Sequence, residues 1–509
     1  MGLDVQLTSR ARLDPAALRT RLFIDGTWVD AANGDEIEVL DPHDGSTIAR
    51  VAEARAADVD RAVDAAERAF PAWAATPAAE RGRILLRLAD LVEASASELA
   101  TLETIDTGHP LRDSSRLDVP RTAATFRYFG GMADKHEGSV IPVEAGFLNY
   151  LLREPIGVVG QIVPWNFPLM FTSWKLGPAL AAGNTVVMKP SELTPLSTLR
   201  IAALLEEAGV PAGVVNIVPG YGATAGWAIA TDPRVRKLSF TGSTAVGRRL
   251  VAASAPSLKR LQLELGGKGA NIVFEDANLP QAVSGSAFAI FHNQGQACIA
   301  GSRLLLHERI ADRFLDDFLR VATTIRLGDP LEMATEMGPL TSALHRDRVL
   351  KYVDVARGEG GEILCGGEAP TAPELAGGYY VQPTVVRAAP DATVSQEEVF
   401  GPFVVVTTFR DADEALRIAN STQYGLGSGL WTNDLSRAHR MANLLRSGMV
   451  WVNAYKRVSP ASPFGGVQGS GYGREMGFEA MHEYTQPKSV WINVDAQLPA
   501  WYPRPDAGR

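Results

Sequence analysis

From Gly157 to about Val452 the chain alternates short β-branched runs with segments of helical periodicity, in two successive blocks. In the first block, Val158–Val163, Thr185–Lys189, Val214–Val218 and Lys237–Phe240 read as strands. Trp174–Ala181 and Pro195–Glu207 read as helices, the second ended by Gly209. The second block begins near Gly269. Parallel neighbours cannot be joined by a tight turn, so this alternation predicts parallel sheets with crossover helices packed on their faces. Open sheets of that kind bind ligands at the carboxyl ends of their strands. At 509 residues the chain is too long for one hydrophobic core, and two or three domains are expected.

The flanks differ in character. Phe23–Val29 predicts a hairpin around Asp25-Gly26. Amphipathic helices follow near Ala56–Phe70, Pro77–Ile105 and Leu117–Lys135, with Thr76 as an N-cap and Pro77 at the first helical position. Val140–Val143 through Leu151–Leu152, and Ser489–Ile492, read as isolated strands. Pro155–Trp174 is uncharged over a length close to a membrane span, but Gln161, Pro164, Asn166 and Pro168 interrupt it. It reads as buried strand plus loop. Met1–Thr20 lacks the apolar core of a secretory signal, and Ala496–Arg509 reads as an irregular tail.

Composition removes several function classes. A hydrophobic fraction of 46% with 21% charged residues describes a soluble globular protein. The net charge of -9 is spread along the chain with no basic cluster, which argues against nucleic acid and anionic membrane as partners. Cys298 and Cys365 are too few for a disulfide framework, so a reducing, cytoplasmic setting is expected.

Three segments carry chemistry. Glu264-Leu265-Gly266-Gly267-Lys268 sets a carboxylate in a glycine turn. Gly295-Gln296-Ala297-Cys298 presents a lone thiol among small residues. Pro164-Trp165-Asn166-Phe167-Pro168 holds an amide side chain between prolines. A thiol is the best neutral-pH nucleophile if its thiolate is favoured, and a carboxylate can activate water. Leu364-Cys365-Gly366-Gly367 has no such surroundings, and Cys365 reads as structural. Lys189 and Glu192 follow directly on a strand, where a lysine and a carboxylate can both hydrogen-bond a ribose. An acidic residue there disfavours a 2′-phosphate. Phe240-Thr241-Gly242-Ser243-Thr244 leaves a strand and opens a helix, so its free N–H groups can face a pyrophosphate, with Ser243 or Thr244 capping the same helix.

Together these segments resemble the aldehyde dehydrogenase superfamily, in the same order and at similar spacing from about Leu22 to about Ile492. The resemblance implies an α/β fold: a Rossmann-like cofactor domain (20–134 and 153–265), an α/β catalytic domain (266–465) and a small β oligomerisation arm (135–152 and 480–495). It implies NAD as cofactor, with NADP not excluded, no metal, and a homodimer or homotetramer. Cys298 would attack the aldehyde carbonyl, the Asn166 amide and the Cys298 N–H would hold the oxyanion, and Glu264 would activate water to release the acid. Lys175 and Glu475 match positions assigned to proton relay. Cofactor contacts would come from Ile162, Pro164, Trp165, Lys189, Ser191, Glu192, Gly222, Phe240, Gly242, Ser243, Leu265, Glu398 and Phe400. Phe167, Phe171, Trp174, Val458 and Phe464 would line an aldehyde tunnel suited to apolar or aromatic substrates. Trp174 stands where the similar succinate semialdehyde branch typically has arginine, which argues against that branch. Lys456 and Arg457 fall in the loop at the tunnel mouth, as either anchors for a distal carboxylate or solvated surface charges. A CoA-acylating relative usually lacks the counterpart of Glu264. A catalytically retired protein on the same fold would not need the intact Asn166, Glu264 and Cys298 set.

Overall fold

The computed structural model describes residues 18–498 and 501–502. The reading of the N-terminus as free of a signal falls largely outside them, as does most of the tail reading. The first block forms an eight-stranded sheet. Its parallel centre runs Val215–Ile217, Thr185–Lys189, Val158–Ile162, Val235–Thr241 and Arg260–Glu264. In chain order these strands lie 3-2-1-4-5, so the winding direction reverses between Val158–Ile162 and Val235–Thr241. That reversal opens a crevice at the carboxyl ends of those two strands, which is where doubly wound sheets hold ligands. The edges are antiparallel: the hairpin Leu22–Ile24/Thr27–Val29 on one side and Gly471–Tyr472 on the other. Asp25 and Gly26 both take positive φ, 54° and 72°, the left-handed pair that a tight hairpin of this twist requires.

The second block forms a seven-stranded sheet ordered Glu362–Cys365, Thr384–Arg387, Phe403–Phe409, Arg303–His307, Ala270–Val273, Gly427–Trp431 and Met449–Val452. All neighbours are parallel except the first pair. Glu264 ends a strand of the first sheet, and Ala270 begins a strand of the second. The glycine turn between them therefore carries the chain from the carboxyl edge of one sheet to the amino edge of the other. A third sheet pairs Phe147–Pro155 with Ser139–Ile141 on one side and Thr485–Asn493 on the other.

Several expectations need correction. The helix expected over Pro77–Ile105 is two helices, Ala78–Ala94 and Ala96–Thr107, broken at Ser95. Thr76 caps no helix start; it terminates Ala56–Ala75, and Pro77 itself is the extended residue before the next helix. The helix expected from Trp174 begins at Pro168. Proline suits a first helical position because its missing N–H has no intrahelical partner there. Every residue of Pro168–Ala181 is buried, so the apolar run that resembled a membrane span is a strand followed by a core helix. Gly177 lets this helix sit against Phe129: a Cβ there would lie 2.8 Å from the ring. Among the described residues no helix is long and apolar enough to cross a membrane.

Candidate active site

Strand register builds the site. Lys189, Ile162, Phe240 and Leu263 face one another across four adjacent parallel strands, all within a residue or two of the carboxyl edge. Glu264 is one step further, level with Thr241. The loops that leave these strands border a cleft of about 470 Å³. Its walls include Pro164, Trp165 and Asn166 from the first loop, Gly242 and Ser243 from the fourth, and Glu264 and Leu265 from the fifth. Cys298, Glu398 and Phe400 close it from the second sheet's side.

Cys298 arrives on a strained turn. Asn293 and Gln294 both have φ of 54°, and Gly295 follows at 72°. Consecutive left-handed residues other than glycine cost of order 1–2 kcal/mol each and persist only where the surroundings over-determine them. Here Asn293 Nδ2 donates to Asn166 O at 2.9 Å, and Gln294 Nε2 donates to Gly108 O at 2.7 Å. Asn166 in turn donates from Nδ2 to Gln296 O at 2.8 Å, which binds the amide two residues from the thiol. Among the described residues that amide nitrogen has no second acceptor. Gly267 completes the approach, because a Cβ there would collide with the carbonyl oxygen of Cys298.

The electrostatics are those of a dry site. Burial raises the Cys298 thiol above its ordinary range, and the carboxylates of Glu398 and Glu264 add to the rise. Glu264 is 1% exposed, and neither carboxylate oxygen has a hydrogen-bond partner. Burial lifts its pKa well above the usual carboxylate range; Glu475 raises it further, while Lys175 and Arg474 pull it back. Burial also raises Glu398 to about 7, against the Gly267 N–H that donates to it at 2.8 Å. A buried carboxyl with an elevated pKa holds its proton to higher pH than an exposed one.

Lys175 and Glu475 form an ion pair at 2.6 Å, both wholly buried, with Ser239 Oγ 2.9 Å from the ammonium. They lie behind Glu264, within its field, and do not line the cleft. The backbone of Glu475 exchanges two hydrogen bonds with Phe464, so the same residue fixes one wall of the aromatic pocket.

That pocket is much narrower, about 40 Å³, and also reaches Cys298. Phe167, Phe171, Trp174, Val458 and Phe464 all line it. Trp174 packs tilted against Phe464 at 4.8 Å and edge-on to Phe171 at 5.1 Å. The two tunnel-mouth cations separate. Arg457 is exposed, whereas Lys456 is 5% exposed and lines the aromatic pocket. The surface-charge alternative therefore fails for Lys456.

The crevice fits a dinucleotide. Ser243 caps the helix Thr244–Ser254, accepting from Val246 N at 3.3 Å, so its first N–H groups open toward the cleft. Lys189 Nζ sits 3.2 Å from Glu192 Oε2 and donates to Gly220 O at 2.7 Å, which keeps both side chains at the strand end. Ser191 Oγ accepts from Leu193 N at 3.2 Å in the same loop. Ile162, Lys189, Ser191, Glu192, Gly222 and Phe240 do not form the cleft wall; they lie around its edge at the strand ends and the following loops. Sequence reasoning missed His345 and Arg348, which do line the cleft. His345 Nε2 meets Phe400 O at 2.7 Å and its ring packs edge-on to Trp165 at 5.0 Å, holding Phe400 at φ 65°. No local motif marks a lone histidine on a helix about fifty residues from the nearest site segment on either side, so only the fold could reveal it.

A profile of the Aldehyde dehydrogenase family matches residues 28–490. The chain is 45% identical to the NADP/NAD-dependent aldehyde dehydrogenase PuuC of Escherichia coli (strain K12), over 94% of this chain and 97% of that protein. It is 44% identical to the mitochondrial aldehyde dehydrogenase of Homo sapiens, over 94% and 93%. Among solved structures, PnpE from Pseudomonas sp. WBC-3 is 68% identical, with a TM-score of 0.95 over 96% of this chain and all 100% of that one. PnpE has also been solved in complex with nicotinamide adenine dinucleotide.

Proposed function

The chain belongs to the aldehyde dehydrogenase family, and on that premise we propose that it oxidises an aldehyde to the carboxylic acid through a covalent intermediate on Cys298. The observation that carries this is convergence: Asn166, Glu264 and Cys298 come from three separate segments and line one cleft at the strand reversal. NAD, held by the Lys189–Glu192 loop, the Ser243 helix start and Glu398, supplies the hydride acceptor when bound. The residues do the rest. The thiol gives up its proton to water as Cys298 Sγ adds to the carbonyl carbon and gives the thiohemiacetal anion. The free proton of Asn166 Nδ2, with the Cys298 N–H, holds the oxyanion. Loss of hydride leaves a thioester on Cys298. Glu264 takes a proton from water, hydroxide attacks the thioester, and the acid leaves as the thiol is restored. Lys175 and Glu475 pass that proton onward from Glu264. The unpartnered, desolvated carboxyl of Glu264 favours hydrolysis over transfer of the acyl group to coenzyme A.

Residues 20–134 and 153–265 serve the cofactor, 266–465 carry the thiol, and 135–152 with 480–495 form the oligomerisation arm. Leu148, Leu152, Trp491 and Ile492 are exposed on that arm, consistent with a partner subunit covering them in a homodimer or homotetramer.

The test is chemical trapping. After rapid mixing with aldehyde and NAD and an acid quench, mass spectrometry should find an acyl adduct on the peptide containing Cys298. NADH formation without that adduct would sink the covalent route. Asn166→Ala should lower kcat by roughly 10²–10³-fold, as loss of one oxyanion donor does elsewhere, with NAD binding retained by titration.

A further inference from the structure

The aromatic pocket is not purely apolar: cationic side chains line it and, among the described residues, no carboxylate does. Together with Cys298 it is lined by Arg121, His292 and Lys456. Among the described residues, neither Arg121 nor Lys456 forms an ion pair with a carboxylate. Lys456 Nζ has one carbonyl, His292 O at 3.4 Å, and the face of Phe288 at 5.9 Å. Asp118 is the acid whose field reaches Arg121; its Oδ2 is engaged by His109 Nδ1 at 2.6 Å, and Asp118 does not line the pocket. Both ring nitrogens of His292 are buried without a partner. Buried cations are normally paired, and an unmatched one costs folding free energy unless something else matches it.

The backbone aims Lys456 inward. Its φ is 53°, and Asn453 three residues earlier has 51°. Left-handed backbone at a lysine is an expense that side-chain direction can explain. Burial lowers the Lys456 ammonium to about 7, so an anion arriving beside it would restore its charge.

We propose that Arg121, Lys456 and His292 form an anion anchor in the aldehyde pocket, and that the preferred substrates are semialdehydes: aldehydes with a carboxylate at the far end of a short chain. The inference rests on the aldehyde-oxidising reading above and refines it. The aldehyde end lies at Cys298, the chain runs between Phe171, Trp174 and Phe464, and the carboxylate meets the guanidinium and ammonium. The product is then a dicarboxylate.

The experiment compares glutaric semialdehyde with pentanal, its uncharged analogue of equal length, under matched conditions. The wild type should favour glutaric semialdehyde in kcat/KM by tenfold or more. Lys456→Met should reduce that preference by about thirtyfold or more, as removing one member of a desolvated charge pair does. The control Arg457→Ala should leave the preference where it was. Should Lys456→Met not fold, the wild type alone decides: glutarate should inhibit pentanal oxidation more strongly than pentanoate. Equal rates on the two aldehydes, equal inhibition by the two acids, or a Lys456→Met loss that falls alike on both substrates would each overturn the anchor. The last would instead make Lys456 a helper of the thiolate. Absence of NADH from both aldehydes and from benzaldehyde would overturn the dehydrogenase reading itself, a distinct result.

Discussion

Cys298→Ala is expected to lower kcat by at least about four orders of magnitude while leaving NAD binding intact, read by NADH formation and by cofactor titration. Nucleophile deletions in covalent enzymes have effects of this size because no neighbouring group replaces the bond to the substrate. Cys365 offers no substitute: its Sγ faces Pro383 O at 3.6 Å and lies outside both site pockets. The side chain removed is small and half-buried, so the fold should survive. Turnover within tenfold of wild type would exclude the covalent route and leave direct hydride transfer from a hydrated aldehyde.

Glu264→Gln separates the two halves of the reaction. Acyl transfer to Cys298 does not need the carboxylate, so a burst of NADH near one equivalent per active site is expected. The steady rate that follows should fall by about 10²–10⁴-fold. The pH profile should change with it. Glu264 must be ionised to accept a proton from water, and its pKa is raised by burial and by Glu475. The wild-type steady rate therefore climbs as pH rises through that elevated value, above where an ordinary carboxylate titrates. Glutamine has no such titration, so this limb should vanish. A variant with no burst, or with the acid limb intact, would assign the base elsewhere.

The architecture was readable because each element's period agrees with its place. Thr185–Lys189 is strand at the residues expected, and Gly209 at φ 92° ends its helix as anticipated. What failed locally is explained by tertiary context. Nothing in the periodicity of 77–105 marks Ser95 as a break, because Ala94, Ser95 and Ala96 are all tolerated within helices. The start at Pro168 was obscured by the prolines that also make Pro164–Pro168 look like loop. At the site, the glycine turns and the thiol were visible as motifs. The convergence of Arg121, His292 and Lys456 was not, since their positions are spread over more than three hundred residues and each is commonplace alone.

The unpartnered carboxyl of Glu264 has a consequence for the endurance of the protein, quite apart from its rate. An acid whose pKa is higher folded than unfolded binds more protons in the native state, so this residue's contribution to stability falls as pH rises between those two values. Above the elevated value the ionised form is a standing load on the fold, tolerated because the rest of the core outweighs it. The variant that cannot activate water should therefore also be the one that melts later, with the gap in Tm widening as the buffer is made more alkaline across that range.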